Sequence, residues 1–294
     1  MACSRNKPVA VDSPGVRTVL AAAQLAKTKD LKVGVGLQRH HSAKYRETVR
    51  RIQDGAIGDM VLLRSYWNGG GVWTRPRKAG QTEMEYQMRN WYYFNWLCGD
   101  HITEQHIHNL DVANWIMGGP PVSAQGQGGR QVRNGIDHGE IYDHHMLEFT
   151  YENGATLLSC CRHIRGCWNS VSEHANGSAG TANVGAGQIN AAGAEPWRFR
   201  GENPNPYQVE HDVLAAAIRE GTYHNEAEYG ATSTMTSIFG RMATYSGQRI
   251  NWDDALASET ALVPSAYAWD ADPPSLPDAD GRYAIPMPGT TAAF

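Results

Sequence analysis

Apolar residues recur with helical spacing close to the N-terminus. From Asp12 to Lys27 they fall on one face, Asp12 or Ser13 can cap the first turn, and Pro14 suits that turn. The short apolar run Leu31–Leu37 then predicts a buried strand. A helix followed by a strand is one step of a parallel α/β sheet, so the first 40 residues predict a small α/β segment.

The pattern changes after residue 41. It predicts an amphipathic helix over 42–54 that ends at Gly55 and a strand over 59–66. Residues 69–90 show no periodicity and predict a long functional loop. Residues 100–117 are helical in pattern and end at a Gly-Gly-Pro-Pro sequence.

The next part of the chain has the pattern of a β-sheet. Strands are predicted at 122–132, 142–151, 155–163 and 168–175, with turn residues between them. Helices at 206–220 and 225–246 follow, and a proline-rich tail without periodicity begins at 263. These elements predict an α+β fold, in which a large, mostly antiparallel sheet with flanking helices follows the α/β segment.

Charge and composition exclude several classes of partner. The 26 basic and 30 acidic residues give a net charge of −4 with no run of like charge, which argues against nucleic acid and anionic membrane surfaces. No apolar stretch approaches the roughly 20 residues of a membrane span, and the N-terminus lacks a signal core. The predicted location is the cytoplasm, where the five cysteines would be free thiols.

The candidate chemistry lies in the segment 99–111. On one continuous helix His101, Glu104, His108 and Asp111 would share a face, because residues three and four apart are neighbours. Glu104 could then orient the His108 imidazole and raise its basicity, which is a general-base arrangement. The same spacing also fits a solvated helix face, or a divalent metal held by His101, Glu104 and His108.

Three separated motifs together resemble the glucose–fructose oxidoreductase / inositol dehydrogenase / MocA (Gfo/Idh/MocA) family. They are Lys7-Pro8 followed by a helix and the strand ending in Gln38-Arg39-His40, then Gly55-x-x-Gly58 leading to Arg64, and finally Glu104-x-x-x-His108 with Asp111. The resemblance runs from Lys7 to about residue 255. In this family an aspartate usually stands at the position of Glu104.

The resemblance implies three segments. Residues 1–40 would be a remnant of a dinucleotide-binding Rossmann domain, 41–262 the α+β substrate and catalytic domain, and 263–294 a tail that wraps over the surface. The sequence before Lys7 is too short for the family's first strand and its Gly-rich phosphate-binding turn. Gly34-x-Gly36 is no substitute, and we expect it to be a packing feature.

The resemblance also implies an activity and a set of site residues. The substrate would be a sugar, a polyol or a derivative with a secondary alcohol, and NAD or NADP would be the cofactor. His108 would remove the hydroxyl proton, Glu104 would orient His108, and Lys7 would hold the reacting oxygen. Further substrate contacts would come from Asp111, His163, His211, Trp67, Asn68 and Arg89, and cofactor contacts from Lys7, Gln38 and Arg39.

Two other functions stay open from the residues alone. The extra histidines fit a cofactor-independent, metal-dependent hydrolase or lyase acting on a sugar. A non-catalytic sugar-binding or oligomerisation module is the second alternative, and the missing phosphate-binding turn leaves open that the chain is inactive by itself. The resemblance also implies a homo-oligomer that forms through the family's open antiparallel sheet.

Overall fold

The computed structural model describes residues 2–294, with the side chains from Asn6 onward. Within this range the helices are α1 (Ser13–Thr28), α2 (Ala43–Gln53), α3 (Glu83–Arg89), α4 (Asn95–Cys98), α5 (His101–Glu104), α6 (Ile107–Met117), α7 (Pro206–Glu220), α8 (Ala227–Ser246) and α9 (Trp252–Ala257). The strands are β1 (Ala2–Arg5), β2 (Lys32–Val35), β3 (Met60–Gly69), β4 (Ser123–Gly129), β5 (His144–Thr150), β6 (Thr156–His163), β7 (Ser170–Gly177), β8 (Gly180–Asn183), β9 (Gln188–Ala191), β10 (Trp197–Arg198) and β11 (Ile250–Asn251).

Nine of these strands form one large sheet in the described part of the chain. Their order is β10-β9-β8-β7-β3-β6-β5-β4-β11. Neighbouring strands are antiparallel except for β3 and β6, which run parallel with Leu63 opposite Leu157. The prediction of an α+β fold built on a large, mostly antiparallel sheet is therefore confirmed.

One face of the large sheet carries the main core. Burial alternates strictly along β6, where Leu157, Ser159, Cys161 and His163 point inward and the residues between them are half-buried. Helices α6 and α8 pack on the inward face, and Phe239 of α8 contacts Phe149 of β5. The opposite face of the sheet remains half-exposed.

The N-terminal segment forms a separate two-stranded parallel sheet. β1 pairs with β2 in register from Ala2 opposite Lys32 to Arg5 opposite Val35, and α1 connects the two strands. The sequence predicted no strand before Lys7, so β1 corrects that expectation. Gly34 lies against Leu214 and Gly36 against Asn6, in agreement with a packing role for these glycines.

Three local predictions are corrected by the structure. The predicted helix 100–117 is two helices, α5 and α6, and the segment 69–90 contains α3, which begins with a capping box formed by Thr82 and Glu85. The strands β8 to β11 were not predicted, because runs of two to four residues carry too few positions to show a period.

The C-terminal segment 263–294 contains no helix or strand and packs over the body of the protein. Tyr283 inserts into an aromatic cluster beside Phe94, and the Tyr142 hydroxyl donates to the Pro286 carbonyl. In the described range no helix combines the length and the apolar character that crossing a bilayer requires. Cys98, Cys160, Cys161 and Cys167 are free thiols, whereas the Cys3 side chain lies outside the described ones.

Candidate active site

Lys7 and Glu104 form a partly buried ion pair. The Lys7 Nζ lies 2.9 Å from Glu104 Oε1, and it also donates to the backbone carbonyl of Glu104. In a continuous helix that carbonyl would accept from the His108 N–H. Here the His108 N–H bonds to the Gln105 carbonyl instead, at 3.3 Å. The Lys7 ammonium thus bonds to a carbonyl that would otherwise accept from a helical N–H, at the point where α5 ends and α6 begins.

His108 is a buried residue in the first turn of α6. Its ring is stacked on Trp67, with ring centroids 6.0 Å apart and planes 21° apart. Its Nδ1 is buried, and among the described residues it has no hydrogen-bond partner. Burial holds the pKa of the His108 imidazole well below its usual value, and the charges of Lys7 and Arg39 act in the same direction. His108 is therefore a neutral imidazole near pH 7.

The structure does not retain the predicted stripe of His101, Glu104, His108 and Asp111. Across the break between α5 and α6, His101 pairs with Asp100 and Asp111 bonds to Ser233. The Glu104 carboxylate bonds to Lys7 rather than to His108. The structure thus pairs Glu104 with Lys7, whose amino group it holds close to His108.

Asp111 is already occupied by protein partners. Its Oδ1 accepts from the Ser233 hydroxyl at 2.8 Å, and its Oδ2 lies 2.9 Å from His40 Nε2. The His40 ring is stacked between Trp115 and Tyr229, at centroid distances of 4.2 and 4.4 Å. Burial alone would lower the pKa of His40, but the charge and hydrogen bond of Asp111 outweigh it and raise that pKa. Asp111 therefore links α6 to Ser233 of α8 and to His40, and its contact with a substrate stays a prediction.

Arg39 is likewise engaged within the protein. Its guanidinium pairs with the buried Glu173 carboxylate, which also accepts from Tyr45 and Asn109. Gln38 donates from Nε2 to the Tyr207 hydroxyl at 3.0 Å, while its buried Oε1 lacks a partner in the described part of the chain. Both predicted cofactor contacts beside Lys7 are thus held by other side chains of the protein.

His163 has both ring nitrogens occupied. Its Nδ1 lies 2.6 Å from Arg133 Nη2, and its Nε2 lies 2.9 Å from Gln105 Oε1. Burial lowers the pKa of His163, and the neighbouring His101 and Arg133 add to the effect. Because Arg133 can only donate, Nδ1 is the acceptor and Nε2 carries the proton. His163 thus links Arg133 to Gln105, the residue after Glu104.

The proposed metal ligands are not gathered in one place. Among the described residues, the group with metal-like spacing is Asp100, His101 and His145, not His101 with Glu104 and His108. Asp100 is fully buried and accepts from the His101 ring, the Tyr142 N–H and the Tyr245 hydroxyl at 2.6 to 2.9 Å. These donors already satisfy the carboxylate, so the cluster is an internal hydrogen-bond network, and the metal alternative has no support here.

The remaining predicted contacts divide between the site and other surfaces. Alternation along β3 places Asn68 on the face opposite Trp67, where its Oδ1 lies 3.6 Å from Cys160 Sγ, so it cannot share a pocket with His108. Arg89 braces the 69–82 loop through the Pro76 carbonyl, and the exposed His211 bonds back to the Tyr207 carbonyl of its own helix. Trp67 alone among these contacts the catalytic candidates.

The sequence did not single out two residues that the fold brings to this region. Tyr92 is stacked against His163 at a centroid distance of 6.1 Å, and its buried hydroxyl finds no partner among the described residues. Arg133 follows a strand at no motif position, so nothing in its sequence context marked it. Only the aromatic run 91–96 gave a signal for Tyr92.

Comparison with known proteins gives a consistent picture. Residues 45–183 match the model of the GFO/IDH/MocA C-terminal domain. An inositol 2-dehydrogenase of Ralstonia nicotianae is 30% identical over 133 residues, which are 45% of this chain and 33% of the relative. The aligned region thus spans about a third of that curated relative.

Solved structures agree in fold at low sequence identity. The aldose-aldose oxidoreductase of Caulobacter crescentus complexed with glycerol has a TM-score of 0.66 at 16% identity, covering 84% of this chain and 71% of that one. A levoglucosan dehydrogenase complexed with NADH and levoglucosan has a TM-score of 0.65 at 14% identity, covering 84% and 73%. The stretch from α2 to the end of β8 therefore matches the C-terminal domain of the GFO/IDH/MocA family.

Proposed function

We propose that this chain acts as the substrate side of an oxidoreductase that oxidises a secondary alcohol of a sugar, a polyol or a derivative, with NAD or NADP as hydride acceptor. The observation that carries the proposal is the meeting of Lys7, Glu104 and a neutral His108 beside Trp67. The relatives named inositol and levoglucosan dehydrogenase support this substrate class.

In this proposal Lys7 binds the alcohol oxygen and His108 removes its proton. An alcohol oxygen placed between Lys7 Nζ and His108 would receive a hydrogen bond from the ammonium and lose its proton to the imidazole. Glu104 keeps the ammonium in position through its carboxylate and its backbone carbonyl. The Trp67 face offers a stacking surface for a sugar ring.

The fit to a dinucleotide is partial. A nicotinamide, when bound, accepts a hydride from the carbinol carbon, and Gln38 Oε1 and Lys7 are the polar groups on that side of the site. The N-terminus of α1 does not fit a phosphate, because the Asp12 carboxylate already accepts from Gly15 N and Leu262 N. We therefore assign only substrate-side and nicotinamide-side contacts to the described residues.

The decisive experiment combines binding with turnover. Tryptophan fluorescence is titrated with NAD(H), NADP(H), myo-inositol and glycerol, and cofactor reduction is followed for each pair. His108→Ala should keep polyol binding and lose about 10²- to 10⁴-fold in turnover, because the base is gone. His174→Gln, on the opposite face of the sheet, is the matched control and should keep full activity.

Two outcomes would contradict the proposal. Full turnover by His108→Ala would remove His108 as the base. Polyol binding without any response to either dinucleotide would favour the non-catalytic sugar-binding module over the oxidoreductase.

We also propose that the chain self-associates through the half-exposed face of the large sheet. Leu62, Tyr66 and Leu158 lie on this face, together with the exposed Met146. Leu158→Glu should convert an oligomer to monomers in light scattering without changing the circular dichroism spectrum, and a wild-type monomer at high concentration would contradict the proposal.

The division of the chain into segments 1–40, 41–262 and 263–294 remains a prediction from the sequence, and so does the cytoplasmic location.

A further inference from the structure

A cavity opens next to the candidate active site, at the ends of β3 and β6. Its volume is about 390 Å³, which lies within the range of small-molecule sites. The side chains that give it chemical character are Trp73, Tyr93, Arg133, His138, His163 and Arg165. Its walls are aromatic and basic, and no acidic residue lines it in the described part of the chain.

Arg133 is the most unusual group in this wall. Its side chain donates to the Tyr142 carbonyl at 2.7 Å and to His163 Nδ1, and it lies over the Tyr93 ring at 5.2 Å. The residue is only 4% exposed, yet among the described side chains no carboxylate oxygen lies within 4.0 Å of its guanidinium nitrogens. A buried guanidinium without a counter-ion is costly, unless a ligand supplies the negative charge.

The Asp143 carboxylate, which accepts from the backbone of Arg133, does not fill this role. Asp143 Oδ2 accepts from the backbone N–H groups of Gln131, Val132 and Arg133, and its Oδ1 pairs with His144. Its negative charge is therefore used by the turn 131–133 and by His144. Arg165, which is exposed at the cavity wall, adds a second positive charge.

The cavity is coupled to the catalytic candidates by direct contacts. His163 bonds to Gln105, the neighbour of Glu104, and its ring is stacked against Tyr92. Tyr92 also packs edge-on against Trp73 at a centroid distance of 6.4 Å. A molecule whose alcohol reaches His108 could therefore extend past Tyr92 into the cavity.

We infer that this cavity binds the anionic group of the substrate, so that the preferred substrates are sugars or polyols carrying a carboxylate or a phosphate. Arg133 and Arg165 would pair with the anion, while Trp73 and Tyr93 would contact the carbon skeleton. This inference rests on the proposed function for the position of the reacting alcohol, but the binding of the anion can be measured without turnover.

The test compares three probes of similar size by calorimetry on the full chain without cofactor: D-glucuronate, D-glucose 6-phosphate and uncharged D-glucose. We expect at least one anionic probe to bind about 10-fold or more tightly than glucose, as a charge-assisted contact in a buried site would give. The preferred probe identifies the anion as a carboxylate or a phosphate.

Variants distinguish binding of the anion in this cavity from a general electrostatic attraction between the anion and basic side chains. Arg165→Gln should lower the affinity for the preferred anionic probe and leave that for glucose unchanged. Arg200→Gln removes the same charge from an exposed position outside the cavity and should change neither affinity. Arg133→Lys keeps a charge but loses the fork that holds His163 and should weaken the anionic probe further.

The inference is overturned if all three probes bind equally, or if Arg165→Gln and Arg200→Gln weaken the anionic probe to the same extent. Because no cofactor is present, anion-selective binding without any dehydrogenase activity would keep this site and reject only the proposed function. Oxidation of neutral polyols without a preference for anionic ones would support the proposed function and contradict the anion site.

Discussion

Histidine is the residue type for which burial changes the chemistry most. His101, His106, His108 and His163 are all buried, and burial lowers the pKa of each, for His101 to about 4 and for His106 to about 3. His40 is the exception, since its pKa is raised beside Asp111. Most of the 12 histidines therefore cannot be ranked as acids or bases from their sequence positions.

The lowered pKa of His106 leads to a prediction about stability. The unfolded imidazole takes up a proton as the pH falls below about 6.5, while the folded one stays neutral down to about 3, so the free energy of unfolding falls across this window. Replacing His106 by Gln should reduce the loss between about pH 7.5 and 5.5 by about 1.4 kcal/mol. Urea denaturation at both pH values measures this.

Ser159→Ala provides the control for His106. It removes the 2.7 Å hydrogen bond to His106 Nε2 but keeps the titrating group. Its unfolding free energy should drop by about 1 kcal/mol at pH 7.5 with the pH dependence retained. An unchanged pH dependence in His106→Gln would show that this imidazole does not control acid stability.

At the scale of elements, the break between α5 and α6 is the feature that shapes the site. Every residue from 100 to 117 is compatible with a helix, so the local pattern predicted one. At the interruption Lys7, 97 positions earlier, donates to the Glu104 carbonyl in place of the His108 N–H. A contact of that sequence separation leaves no trace in local periodicity.

The contact between α8 and β2 allows a prediction for Gly230. A Cβ at this position would lie 2.8 Å from Val35 Cγ1 and 3.0 Å from Cγ2, and Val35 is buried and stiff at χ1. Gly230→Ala should therefore destabilise the protein by about 1–3 kcal/mol, despite the better helix propensity of alanine. Thermal or urea denaturation measures the change.

Gly119→Ala is the matched control, because a Cβ there meets no atom within 4 Å. We expect its effect to stay within about 0.5 kcal/mol. If Gly230→Ala proved equally neutral or stabilising, α8 would have room to move away from β2.

At the scale of the whole molecule, a buried ion pair joins the N-terminal segment to the large sheet. Arg39 lies in the turn 38–41 after β2, and Glu173 lies in β7. Burial raises the pKa of Glu173 and the Arg39 charge opposes this effect. The pair thus holds the segment that carries Lys7 and Gln38 against the sheet that carries Trp67.

Breaking this pair should be costly. Arg39→Met leaves a buried carboxylate without its cation and should lower the free energy of unfolding by about 3–5 kcal/mol. The double variant Arg39→Met with Glu173→Gln removes the unpaired charge and should recover more than half of the loss. Additive losses in urea denaturation would show that the two side chains do not act as a pair.

The sequence by itself determined the fold class and the boundaries of α1, α2, α7 and α8 to within two residues, whereas the roles of Glu104 and His108 stay predictions. These features depend on local periodicity, caps and turn residues, which neighbouring positions record. The tertiary structure decided which polar groups remain free: Asp111, Arg39 and His163 bind protein partners, while Arg133 faces a cavity without a counter-ion. Such pairings depend on burial and on contacts between distant segments, and neither is encoded in the spacing of residues along the chain.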